Sequence, residues 1–152
     1  MELSAPKTLD TLESLQEEAA RFAASLEPSK QTATLVTLSG ELGAGKTSFA
    51  QGIARALGVD ERVTSPTFVL EKIYELPEET GRGFFRLAHL DAYRLQGPHA
   101  LAPLGFDETM EDPKTLVLLE WPERVEKALP KPTHAITLTV APEGGRTISY
   151  AR

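Results

Sequence analysis

Apolar residues at Leu9, Leu12, Leu15, Ala19, Phe22, Ala23 and Leu26 recur at spacings of three and four. That period predicts an amphipathic helix over residues 9–26, with Asp10 and Glu13 resembling a capping box and Pro28 ending it. The period then changes. TLVTLS, Thr34 to Ser39, is short, β-rich and apolar, as a buried strand is. From Lys46 to Leu57 a helix is predicted again, with Phe49, Ile53, Ala56 and Leu57 on its inner face and Gly58 as its left-handed C-terminal residue. Residues 67–75 and 84–90 read as two strands joined through LPEETGRG, whose Pro, Gly and charged residues suit an exposed turn in a long hairpin. Residues 96–114 are irregular and rich in Gly and Pro, with room for a short helix, and LVLLE, Leu116 to Glu120, is a second buried strand. Pro122 to Leu129 reads as a short helix started by proline. Ala135 to Val140 and Thr147 to Tyr150 alternate around PEGGR as a terminal hairpin.

The segment between the first strand and the second helix carries chemistry. GELGAGKT, Gly40 to Thr47, satisfies the pattern G-x-x-x-x-G-K-[S/T] in full. Gly43 and Gly45 can take backbone angles closed to other residues, so the N–H groups of the loop can approach phosphate oxygens. Lys46 supplies a compact positive charge for the β and γ phosphates, and Thr47 a hydroxyl for Mg²⁺. The following helix turns its N-terminus, the positive end of its dipole, toward the anion. The alternative is a glycine-rich turn of no consequence, but the apolar strand before it and the amphipathic helix after it are the context the motif requires. No lysine is followed two residues later by aspartate, as a guanine-reading motif needs, so ATP is expected rather than GTP.

Composition narrows the setting. The 152 residues fit one compact domain over 1–152, with 41% hydrophobic and 25% charged residues in the ordinary globular range. There is no cysteine, which removes disulfides, thiolate metal sites and a cysteine nucleophile. The opening MELSAPKTLD lacks a basic stretch followed by an apolar run, so no signal peptide is expected, and no run of about 18 apolar residues predicts a membrane span. A cytoplasmic protein is the natural expectation. With a net charge of −6 and no long Lys/Arg cluster, direct tight binding to a nucleic-acid backbone is not expected; an acidic chain acting on nucleic acid would do so indirectly, through a partner.

A P-loop enzyme also needs a carboxylate at the end of an apolar strand to hold Mg²⁺. Glu120, closing LVLLE, is one candidate, and Asp91, closing FFRLAHL, is another. The alternative for each is a solvated carboxylate at a strand end, and His89 alone reads more readily as a packed histidine than as a catalyst. Thr67, in the polar turn SPTF, is placed to reach the γ-phosphate or Mg²⁺, or simply to cap the turn.

Four segments in order, GELGAGKTSF (40–49), SPTFVL (65–70), HLDAYRL (89–95) and LLEWPERV (118–125), resemble the bacterial TsaE family, also called YjeE. The resemblance covers nearly the whole chain. It implies an α/β P-loop NTPase domain with a mixed central sheet and flanking helices. It also implies a small ATPase needed to make threonylcarbamoyladenosine on tRNA, docking on the TsaD–TsaB heterodimer rather than performing the transfer itself. By the same resemblance the cofactors are ATP or ADP with Mg²⁺. Catalysis falls to Lys46, Asp91 and Glu120, and the metal to Thr47, Glu120 and Asp91. The nucleotide is held by Gly43, Ala44, Gly45, Lys46, Thr47, Ser48, Thr67, Trp121 and Arg146, the last in a Gly145–Arg146 pair near the C-terminus. The connection from Glu75 to Gly83 is longer than the family pattern.

Two other classes compete. A small-molecule P-loop kinase would carry an arginine-rich lid, and residues 96–114 contain no arginine. A nucleotide sensor without hydrolysis would keep the P-loop and tolerate loss of Asp91. No general base or arginine finger is singled out: Arg55, Arg62, Arg86, Arg94 and Arg124 are all candidates.

Overall fold

A computed structural model describes residues 5–61, 63 and 70–151. Its centre is a seven-stranded sheet: β1 (Lys7–Leu9), β2 (Thr34–Ser39), β3 (Glu71–Glu75), β4 (Arg86–Asp91), β5 (Thr115–Glu120), β6 (His134–Val140) and β7 (Arg146–Ala151). The spatial order is β1-β7-β6-β2-β5-β4-β3. β2 runs parallel to both β5 and β6, and β5 parallel to β4. The outer pairs β3/β4, β6/β7 and β1/β7 are antiparallel, so the sheet is mixed, as expected.

The central strands explain their own sequences. β2 and β5 lie between two cores, so Leu35 and Val117 face one layer while Val36, Leu38, Leu116 and Leu118 face the other. A strand buried on both faces cannot alternate apolar with polar, hence the continuous runs TLVTLS and TLVLLE. One layer is α1 (Leu12–Ala24) and α2 (Lys46–Ala56). The other is a 3₁₀ segment over Pro98–Leu104, α3 (Phe106–Met110) and the chain after β5.

Helix α1 starts later than the apolar spacing suggests. Thr11 is extended and its side chain accepts from the Ser14 N–H, while the Ser14 hydroxyl accepts from the Thr11 N–H at 3.0 Å. This reciprocal cap replaces the one read at Asp10 and Glu13. Lys7 to Leu9 is a strand instead, because β7 offers it a partner edge, with Lys7 opposite Ile148 and Leu9 opposite Arg146. Helix α1 then lies close against α2: a Cβ on Gly52 would sit 2.6 Å from the Ala19 Cβ, which only glycine avoids.

Helix α2 ends as read, with Gly58 at φ 96°. The hairpin turn from Leu76 to Gly83 is more than an exposed loop. The Thr80 hydroxyl donates to the Leu57 carbonyl at 2.9 Å, closing the C-terminus of α2, and Gly81 is buried. Only Glu71–Glu75 of the strand read over 67–75 is a described strand; residues 67–69 lie outside the described residues. Pro122–Leu129 is not one helix but two 3₁₀ turns, Pro122–Arg124 and Glu126–Ala128, broken where Val125 takes φ −133°. Among the described residues, no helix is long and apolar enough to cross a membrane.

Candidate nucleotide site

Three parallel strands, β2, β5 and β4, end at the same edge of the sheet, and their C-terminal residues build the site. Gly40 leaves β2 at φ 147°, and a Cβ there would lie 2.3 Å from the Leu138 carbonyl oxygen. The loop can therefore turn tightly against β6 only with glycine at its first position. Gly43 and Gly45 also take positive φ, 81° and 101°, as the motif predicts. Gly45 is the residue just before α2, so the loop delivers Lys46 and Thr47 to the first turn of an 11-residue helix.

Lys46 is 5% exposed. Its ammonium donates to the carbonyls of Gly40 and, at 2.9 Å, Glu41, and stands 4.3 Å from the centre of the Trp121 ring. Burial pushes the Lys46 ammonium below its ordinary range, while Glu120, Glu123, Asp91 and Glu41 pull the other way. A buried cation whose partners are carbonyls and an aromatic face suits an anionic ligand.

The two acids arrive side by side, because Asp91 and Glu120 are register partners at the ends of β4 and β5. Both are buried, at 4% and 2% exposure. The Thr47 hydroxyl lies 3.2 and 3.4 Å from the two oxygens of Glu120. Asp91 Oδ1 accepts from the Tyr93 N–H at 2.9 Å. Trp121, in the left-handed region at φ 60°, donates its N–H to the Leu38 carbonyl and turns its ring over Lys46. The Tyr93 ring lies 4.9 Å from that of Trp121, and the Arg124 guanidinium stands 5.4 Å from the Tyr93 ring.

These groups line one cleft of about 370 Å³, walled by Gly43, Gly45, Lys46, Thr47, Ser48, Asp91, Glu120, Trp121 and Arg146, with Leu42 and Tyr93. Most of the residues read as site residues are thus gathered in one place. Ala44 is placed differently: its side chain is buried in the core and its N–H donates to the Glu41 carbonyl within the loop. Thr67 lies outside the described residues, as does Arg62. Of the other arginines, Arg86 is paired with Asp112 and Arg55 borders a separate cleft with Asp60 and Glu61. Among the described residues α1 adds none to the cleft wall, and its Leu15 packs beneath Gly45.

Sequence reading missed Tyr93 as a wall and Leu42 as an exposed tip. The signal for Tyr93 was its place two residues after Asp91 at a strand end; nothing local marks Leu42.

The donor set also bears on metal type. Among the described residues no three acidic, histidine or cysteine side chains form a cage for an ion. Thr47 and the carboxylates of Glu120 and Asp91 offer hard oxygen atoms beside the loop. One hydroxyl and one or two carboxylates, completed by phosphate oxygens and water, is how Mg²⁺ is held with a nucleotide, so these residues fit it.

The sheet order, the strand–loop–helix crossover and the glycine-lined loop define a P-loop NTPase domain. The model of the family described as "Threonylcarbamoyl adenosine biosynthesis protein TsaE" matches residues 10–148. The TsaE protein of Treponema pallidum is 39% identical over 118 residues, covering 78% of this chain and 82% of that one. That of Rickettsia prowazekii is 34% identical over 143 residues, 93% of this chain and 91% of its own. The Bacillus subtilis relative is 35% identical over 116 residues, 76% and 68% respectively. The crystal structure of Bacillus subtilis YdiB superposes with a TM-score of 0.76 at 28% identity, covering 99% of this chain and 86% of that one. The chain belongs to the TsaE family.

Proposed function

We propose that the protein is a Mg²⁺-dependent ATPase acting in the cytoplasm, as an accessory to the TsaD–TsaB heterodimer in threonylcarbamoyladenosine modification of tRNA. The observation that carries the catalytic half of this reading is the junction of Thr47 with Glu120 beside buried Lys46, at the mouth of a glycine-lined loop. The relatives' names, tRNA threonylcarbamoyladenosine biosynthesis proteins, support the other half. The net charge of −6 agrees with contact to tRNA through partners rather than directly.

ATP is the substrate, with its triphosphate along residues 40–47. The reaction is in-line attack of water on the γ-phosphoryl group, releasing ADP and phosphate. Lys46 and the loop N–H groups stabilise the charge that spreads over the phosphoryl oxygens. Mg²⁺, when bound, would supply charge neutralisation to the phosphates. Thr47 and Glu120 would hold the metal, and Asp91, oriented by the Tyr93 N–H, would position water. Trp121 and Tyr93 form an apolar wall that limits solvent around the phosphates. Slow hydrolysis by the chain alone and acceleration by its partners follow if the stabilising arginine comes from outside.

Phosphate release from Mg·ATP, measured for the protein alone and with TsaD–TsaB, tests this. Acceleration by the partners is expected, together with a loss of at least about 100-fold in Lys46→Ala, since a preorganised charge on the phosphoryl group is worth that much. Normal turnover in Lys46→Ala would sink the P-loop assignment. ATP binding without hydrolysis, and Asp91→Ala retaining cellular function, would favour a nucleotide sensor. Phosphate appearing on an added metabolite would favour a kinase.

A further inference from the structure

We propose that His89 is a positioning residue that sets the carboxylate of Glu120 toward Thr47 and so governs how strongly Mg²⁺ and nucleotide bind together. The proposal rests on the magnesium reading of this site.

His89 stands on β4 two residues before Asp91, so both side chains leave the same face of the sheet. Its register partner on β5 is Leu118, and Asp91 faces Glu120. His89 and Glu120 are therefore diagonal neighbours, close enough for a long side chain to cross. The ring does cross: Nε2 lies 2.6 Å from Glu120 Oε2, with Nε2 as the N–H donor, the role a carboxylate partner requires. The two oxygens of that carboxylate are also the acceptors for the Thr47 hydroxyl. One carboxylate thus ties β5 to β4 through His89 and to the start of α2 through Thr47.

The surroundings argue against a merely space-filling histidine. His89 is 0% exposed, on the same sheet face as Leu87 and Leu118, which are also buried. An imidazole there costs free energy unless its nitrogens are bonded. Among the described residues Nδ1 has no hydrogen-bond partner, so the bond to Glu120 is the compensation the structure offers. A leucine or methionine would fill the same space at lower cost, leaving the carboxylate free to rotate. Groups that orient a metal-binding carboxylate in this way commonly change metal affinity 10–100-fold when removed.

The test compares two variants that both fill the space. His89→Leu removes the N–H donor; His89→Gln keeps one at the matching atom. Affinity for the imido analogue of ATP is read from the emission of Trp121, the chain's one tryptophan, first in EDTA and then in excess Mg²⁺. The ratio of the two affinities is the coupling between metal and nucleotide. Wild type is expected to gain affinity with Mg²⁺. His89→Leu should keep the EDTA affinity while its magnesium gain falls about tenfold or more, and His89→Gln should retain most of the gain. Should the leucine variant not fold, His89→Asn, polar but too short to reach the carboxylate, takes its place. A leucine variant with the full wild-type gain would overturn the proposal. So would one that loses as much affinity in EDTA as in Mg²⁺, since that is a packing defect. A wild-type protein without any magnesium gain would overturn the magnesium reading itself, a separable outcome.

Discussion

Glu18 shows, away from the cleft, what a buried charge does in this protein. It sits on α1 with its side chain 4% exposed and accepts from Tyr150 at 2.6 Å, from Arg21 at 2.8 Å and from Lys7 at 3.3 Å. Burial alone would raise its carboxyl, but the hydrogen bonds from Tyr150, Arg21 and Lys7 outweigh that and hold it below the usual carboxylate range. A carboxyl depressed on folding adds stability above its unfolded value and loses it as pH falls through the folded one. Glu18→Gln should therefore cost about 1–3 kcal/mol near pH 7, the worth of hydrogen bonds to a charged group. The difference from wild type should shrink toward nothing as the pH falls below about 4, which urea unfolding across pH would measure. In the sequence Glu18 is one more acid on a helix; only the return of β7 with Tyr150 makes it a junction. Lys46 and Thr47 are the opposite case, readable because their neighbours in the motif are their neighbours in space.

At the scale of elements, the close pair α1–α2 is what holds the phosphate loop's helix in place. Gly52→Ala sets two effects against each other. Alanine improves helix propensity by about 1 kcal/mol. Its Cβ, however, would sit 2.6 Å from that of Ala19, and overpacking of this kind costs about 1–3 kcal/mol. A net loss of stability is expected, seen as a lower Tm; a rise would mean that α1 can move away without penalty. The apolar period of α1 was legible because an amphipathic helix carries its own signal, yet its start was not. The same spacing continues through Leu9, and only the edge of β7 decides that Lys7–Leu9 is a strand. Likewise the turn from Leu76 to Gly83 reads as loop chemistry, while its closure of α2 through Thr80 depends on a contact between distant segments.

At the scale of the whole molecule, the candidate nucleotide cleft joins the loop after β2 with α2, β4, β5 and β7, so a ligand there binds the folded chain and not the unfolded one. At a concentration 100 times its Kd, a nucleotide adds about 2.7 kcal/mol of stability. For a domain of this size that is a rise in Tm of about 5–10 °C. The imido analogue with Mg²⁺ should produce such a shift in wild type and little in Lys46→Ala, measured by thermal unfolding. An equal shift in the variant would place the binding elsewhere.

Taken alone, the sequence determined what is local: the phosphate loop, the buried runs of β2 and β5, the acids at two strand ends, and a family pattern in four segments. The tertiary structure decided what is not local. Strand order brings Asp91 beside Glu120, carries Arg146 from the far end of the chain to the wall of the cleft, and places His89 on the carboxylate that Thr47 also touches. The physical reason is the range of the forces involved. Backbone conformation and hydrophobic period are set by residues a few positions apart, whereas a hydrogen bond between side chains on different strands exists only after the sheet has chosen its register.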